Sequence, residues 1–451
     1  MSRPSTPLWT PRPTRSVAAP LSRRSLLRGA AVGGSLVALP GLSACSDRGS
    51  SPTESSGGGG EAASLGSNFS DDVPKRALQA SIEAFIKSQG VEVETNTVDH
   101  EQFQEQITKY LQSGPDDVWA WFAGYRMRFF AAKGFAGDLS GVWSDSLDAQ
   151  YTEAFKQAST GDDGNQYFVP FYNYPWAVFY RKSLFADRGY TVPTTMDDFE
   201  ALCQEMSSDG LTPVAFADQE GWPAMGTFDA INFRLNGYDF HVALMAGEES
   251  WESDEVKAVF ETWRDRLLPY QTPTDQALGL DWLDVAPDLV QKKAGMYYLG
   301  MFVGQAFTNE QDREDLDFFA FPELNPEFGQ DTIDAPIDGW MMAPEPEDQE
   351  AAEALLSWFG SAEGQEAYLE VDPNNVAASS DADTSNYNNL QRKAVELIGQ
   401  ADHITQYLDR DTDPTFAATV MISSLQDFFK APDDIDGICA SIEEQKQSIF
   451  G

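Results

Sequence analysis

The chain has 451 residues, 72 acidic against 30 basic, a formal net charge of −42, three cysteines and 42% hydrophobic residues. That length and apolar content supply two or three domains with real cores and exclude global disorder. Phosphate binding needs clustered Lys and Arg, so so acidic a chain is not expected to bind nucleic acid, and an anionic membrane surface is disfavoured for the same reason.

Residues 1–44 differ from the rest, with six arginines (Arg3, Arg12, Arg15, Arg23, Arg24, Arg28) and no acid. Ser22-Arg23-Arg24-Ser25-Leu26-Leu27-Arg28 has the paired arginines and hydrophobic step of a twin-arginine export signal. The apolar run at 29–44 is too short and glycine-rich to span a bilayer. Leu42-Ser43-Ala44-Cys45 then resembles a bacterial lipobox, which makes Cys45 the expected lipidation site and membrane anchor. Without residues 1–44 the net charge becomes −48. Residues 46–60 are rich in Ser and Gly and read as a flexible tether.

From residue 61 the pattern is globular. Asp71, Asp72 and Pro74 open a helix whose apolar positions are Ala77, Leu78, Ile82, Phe85 and Ile86, and Gly90 ends it. Residues 91–94 alternate as a strand, Phe103 to Leu111 mark a helix, and 117–122 form a short apolar strand followed by a helix-like stretch ending at Gly134. Residues 166–180 are strand-like, Thr194 and Thr195 cap a helix through Met206, and 213–217 and 295–299 are further strands, with a helix start expected after Gly300. Helices recur at 349–359, 362–369, 390–400, 417–429 and 434–450. Strands alternating with helices imply parallel βαβ units and an α/β fold in at least two lobes.

Catalytic signatures such as GxxxxGK[ST], GxSxG and HExxH do not occur in the sequence, and His100, His241 and His403 lack metal-ligand spacing. Neither metal nor cofactor is expected. Asp409, Asp411 and Asp413 alternate like a calcium loop, but Pro414 stands where that loop needs glycine, and Asp434, Asp436, Gly437 and Glu443 lack a first ligand because Pro432 takes its place. Cys203 shares a helical face with Phe199, Leu202 and Met206 and reads as a core thiol, while its pairing with Cys439 stays open.

The aromatics carry the positive signal, with 11 Trp, 15 Tyr and 29 Phe. Many stand beside Gly, Pro, Asn or Asp, where the chain is expected to turn, and flat rings next to hydrogen-bonding groups suit a ligand with apolar faces and many hydroxyls. The candidate contacts are Phe122, Tyr125, Arg126, Tyr174, Trp176, Trp222, Phe228, Asp229, Phe302, Asp338 and Trp340.

Taken in order, FVPF at 168–171, AVFYRKSLF at 177–185, VPTTMDDF at 192–199, KAGMYYLG at 293–300, DGWMMAP at 338–344, EALLSWF at 353–359 and SAEGQ at 361–365 resemble the extracellular solute-binding proteins of carbohydrate ABC importers, the maltose- and multiple-sugar-binding family. Met196 and Phe302 stand where that family usually has Trp, and Phe302 makes the sugar's identity less transferable. The resemblance implies a two-lobed periplasmic-binding-protein-like fold with a hinge and an interlobe ligand cleft. One lobe would comprise 61–172 and 337–385, the other 176–335 and 386–451, with Trp340 as cleft floor. It further implies a monomeric receptor, not an enzyme, anchored outside the membrane through Cys45, that binds a small-molecule carbohydrate by hinge closure and delivers it to ABC permease transmembrane subunits. Two other readings stay open: an exported glycoside hydrolase with two carboxylates among the aromatics, and a binding protein for a polyamine or metal complex.

Overall fold

A computed structural model describes residues 62–451; the export segment, Cys45 and the tether lie outside the described residues. Twelve strands there are β1 (Ala62–Ser67), β2 (Glu92–Thr97), β3 (Val118–Phe122), β4 (Val169–Asn173), β5 (Trp176–Arg181), β6 (Thr212–Ala215), β7 (Ala294–Gly300), β8 (Leu316–Phe319), β9 (Thr332–Asp334), β10 (Ile337–Met342), β11 (Val376–Ala377) and β12 (His403–Thr405). They form a six-stranded sheet in the order β11-β4-β10-β3-β1-β2, a four-stranded sheet β6-β7-β5-β8, and the pair β12-β9. Helices cover these sheets, giving the two-lobed α/β architecture.

The chain enters or leaves the six-stranded sheet three times after β1, from β4 to β5, from β9 to β10, and between β11 and β12. In the first sheet β1 runs parallel to β2 and β3, whereas β10 runs antiparallel to β3 and β4. The reversal brings the start of β10 beside the end of β3, with Asp338 opposite Phe122. Every residue of β3 is buried, as its uninterrupted apolar run requires of a central strand.

Local chemistry sets the element ends. Helix Asp72–Gln89 stops at Gly90, whose φ of 75° only glycine adopts without strain, and Thr195 caps helix Met196–Ser208 by accepting from the Asp198 amide. Two departures from the sequence reading matter. A short turn, Met301–Ala306, follows Gly300 in place of a longer helix. Residues around Trp222–Pro223 and Phe228–Asp229, read as turning chain, are instead the first turns of the helical stretch Trp222–Met245, with Pro223 accommodated in its opening turn. This stretch bends at Gly237, where a side chain would meet Phe328 at 2.5 Å, and it is buried nearly all round, so it shows no polar face from which to read a period. Cys203 and Cys439 are both free and buried.

Candidate functional site

A cavity of about 220 Å³ lies between the lobes. Its first wall follows the carboxyl ends of the parallel strands: Phe69 after β1, His100 and Glu101 after β2, and Phe122 at the end of β3. Ligands of open α/β sheets collect at this edge, where strand order reverses. The opposite wall comes from the start of β5 (Trp176), helix-start residues Trp222 and Trp282, and Phe302 just beyond β7.

The second wall is an aromatic cage. Phe302 packs edge-on against Tyr174, Trp176, Trp222 and Trp282, with ring centroids at 5.4, 6.2, 5.9 and 5.1 Å. Trp176 also stacks on Tyr407 at 4.8 Å. Tyr407 adopts a φ of 95°, and its hydroxyl accepts from the Gly226 amide while donating to the Trp222 carbonyl. Helix start, loop and cavity ring are thereby pinned together.

Facing the cage are charges. Arg410 places Nη1 2.9 Å from Asp338 Oδ1, donates through Nη2 to the Tyr174 hydroxyl at 3.3 Å, and lies 4.0 Å from the Phe122 ring centroid. Asp409 stands between two arginines, Oδ2 3.3 Å from Arg126 Nη1 and Oδ1 3.8 Å from Arg410 Nε. Among the described residues Asp338 Oδ1, Asp409 Oδ1 and Arg410 Nε and Nη1 are buried and meet one another as ion pairs. Asp338, Asp409 and Arg410 line the cavity, so a network of charged donors and acceptors faces the aromatic cage, the combination that a ligand with apolar faces and hydroxyls requires.

Carboxyls crowd the remaining rim. Burial, then the charge of Glu101 across the cavity, lifts Glu220 to about 8, and burial raises Glu101 and Asp71 as well. Asp338 is raised by burial against the opposing pull of Arg410. Asp372, also raised by burial, accepts from Asn374 at 2.7 Å, Asn375 at 3.1 Å and, from the other wall, Gln305 at 3.3 Å.

Of the eleven residues expected from sequence, Phe122, Tyr174, Trp176, Trp222, Phe302 and Asp338 line this cavity. The other five stand elsewhere. Tyr125 turns toward Phe129, 6.5 Å away by ring centroid, and Arg126 lies behind the wall, donating to Gln104 Oε1 at 2.7 Å. Phe228 is core, stacked on Trp251 at 5.4 Å, because helical geometry carries it inward. Asp229 is sealed beneath the loop after β12, where it accepts from the Leu408 amide at 2.6 Å. Trp340 is fully buried between Phe69 and Phe359, at 5.4 and 4.3 Å, so it is not the cavity floor. Two residues along β10 from Asp338, it keeps the same face but sits about 7 Å deeper. Sequence reasoning missed Trp282, Tyr407 and Arg410, and weighed Asp409 only as part of a calcium-like alternation. Among the described residues no cluster of three or more His, Cys, Asp or Glu is arranged to hold a metal ion.

The profile of the bacterial extracellular solute-binding proteins matches residues 71–366. The bacterial solute receptor AcbH, described by an exclusive substrate preference for β-D-galactopyranose, is 42% identical, with a TM-score of 0.84 over 87% of this chain and 100% of that one. An uncharacterised ABC transporter extracellular-binding protein of Pyrococcus horikoshii is 22% identical over 296 residues, 65% of either chain. A probable sugar-binding periplasmic protein of Mesorhizobium japonicum is 23% identical over 62% of this chain and 66% of its own length. The match thus spans just under two thirds of each of these last two relatives.

Proposed function

The chain belongs to the bacterial extracellular solute-binding protein family, and we propose that it captures a single sugar ring for an ABC importer. The observation that carries this reading is the cavity's two-sided chemistry: an aromatic cage opposite a wall of charged side chains, Asp338, Asp409 and Arg410. A pyranose offers C–H faces to the rings and hydroxyls to Asp338, Asp409 and Arg410. A volume of about 220 Å³ is small for a ligand pocket, which favours one ring over an oligosaccharide. Likeness to AcbH puts D-galactose first among the candidates.

In this reading no covalent step occurs. The sugar binds the closed arrangement of the lobes more tightly than the open one, closure follows as a population shift, and permease subunits read the closed form. Twin-arginine export and acylation of Cys45 keep the monomeric receptor on the outer face of the cell membrane. Isothermal titration of residues 46–451 with D-galactose, D-glucose, other hexoses, pentoses and short oligosaccharides tests the ligand. A Kd in the micromolar range or tighter for a monosaccharide is expected, and absence of heat with every sugar refutes the assignment. Membrane fractionation of full-length protein against Cys45→Ala tests the anchor, with release of the variant into the soluble fraction expected.

A further inference from the structure

Four largely buried charges of alternating sign run along one wall of the cavity: Arg126, Asp409, Arg410 and Asp338, their side chains 4, 14, 9 and 11% exposed. Successive members stand 3.3, 3.8 and 2.9 Å apart. The two ends belong to the lobe of the six-stranded sheet, on helix Tyr125–Ala132 and on β10. The two middle members lie on the single turn Leu408–Asp411, which the other lobe holds through the Leu408 amide on Asp229 and the Thr412 hydroxyl on the Met245 carbonyl. The line sums to zero, so removing one member leaves a buried charge unmatched, the expensive outcome for a buried pair.

Arg126 is the member that does not reach the cavity, whereas Asp409, Arg410 and Asp338 all line it. Its guanidinium is held by Gln104 and lies 5.1 and 5.5 Å from the Trp121 and Phe122 ring centroids. Gln104, Trp121 and Phe122 themselves line the cavity, and among the cavity's charged groups the one Arg126 pairs with is Asp409. Asp409 spends Oδ2 on Arg126 and turns Oδ1 toward Arg410 Nε, 3.8 Å away. We propose that Arg126 is a positioning residue for sugar recognition: by fixing and neutralising Asp409 it sets the orientation of the Asp409–Arg410 pair that meets the ligand's hydroxyls. The inference rests on the sugar-receptor reading.

The test is a double-mutant cycle on residues 46–451, titrated with D-galactose and D-glucose. Arg126→Gln and Asp409→Asn should each weaken binding about tenfold or more, and the double variant, again neutral, should lie within about threefold of the worse single one because the two act as a unit. Arg126→Lys should recover most of the affinity, which a purely steric role for the guanidinium does not predict. Binding within twofold of wild type in Arg126→Gln, or losses that multiply in the double variant, overturns the inference. Should wild-type protein bind no sugar, the receptor reading falls by itself, and thermal unfolding of the same four ligand-free proteins judges the charge line. A melting-temperature loss in the double variant smaller than the sum of the single losses supports it, and additivity overturns it.

Discussion

Gly226 is where the packing beneath the cavity can be tested most sharply. A Cβ at this position would lie 2.6 Å from Trp176 Cζ3 and 2.7 Å from Tyr407 Cε2. Carbon atoms in contact prefer about 3.5–4.0 Å, so Gly226→Ala asks both rings to retreat by about 1 Å. Trp176 is already backed by Tyr298 at 5.6 Å and flanked by Trp222 at 6.1 Å, which leaves the cavity as its direction of escape. Overpacking of this kind costs about 1–3 kcal/mol, while replacing a helical glycine returns about 0.5–1 kcal/mol, so the net loss of stability is about 0–2.5 kcal/mol. Affinity should suffer more, because one displaced ring shifts the whole stacking surface in a cavity of about 220 Å³: a loss of about tenfold, or 1.4 kcal/mol, is the least expected. Calorimetric titration with the tightest sugar, paired with melting curves, measures both quantities. Gly399→Ala, in helix Asn389–Gln400 with no heavy atom within 4 Å of the added carbon, is the control and should raise stability slightly with affinity unchanged. Wild-type affinity in folded Gly226→Ala would show that the glycine is not what positions the cage.

Three further outcomes are expected. Trp222→Ala, which removes a half-buried cage ring, should cost binding about 1–3 kcal/mol while moving the melting temperature little. Trp340→Phe should do the reverse, lowering stability by opening a void between Phe69 and Phe359 while changing affinity less than about threefold. Stability should also depend on pH in two windows. Asp334 and Asp229 are fully buried and burial lifts both, Asp334 to about 8, so the folded state keeps protons that the unfolded chain releases. Their stabilisation is complete below the ordinary carboxylate range and is lost as pH rises toward 8. Burial holds His241 down to about 3, so its contribution is complete above about 6.5 and is lost as pH falls below that. Urea midpoints should therefore fall from pH 6.5 to 8, where His241 no longer contributes a slope, and Asp334→Asn should flatten that fall. A wild-type midpoint that rises across this range contradicts the assignment.

The α/β alternation was legible because helices such as Asp72–Gln89 carry one apolar face between clear caps, and strands such as β3 are short apolar runs. Cage rings Tyr174, Trp176 and Phe302 were legible for a related reason: they stand at or just past strand ends, within two residues of Gly, Asn or Pro. Phe228 and Asp229 were not, since a helix buried on all sides hides its period and lets a core residue look like a turn residue. Trp340 was misplaced because strand parity fixes a side chain's face but not its depth, which here depends on Phe69, some 270 residues earlier in the chain. The charge line was beyond reach for the same cause: Arg126 and Asp409 are 283 positions apart, and nothing local to either announces the other.

The cage has an optical consequence. Trp121, Trp176, Trp222 and Trp282, four of the protein's eleven indoles, line one small cavity, and among the described residues Trp121 Nε1 is buried without a hydrogen-bond partner. Indole emission responds to the polarity and hydrogen bonding around the ring, so a sugar entering this space changes the surroundings of several emitters at once. The protein's own fluorescence thereby becomes a label-free reporter of occupancy, suited to following association and dissociation in real time.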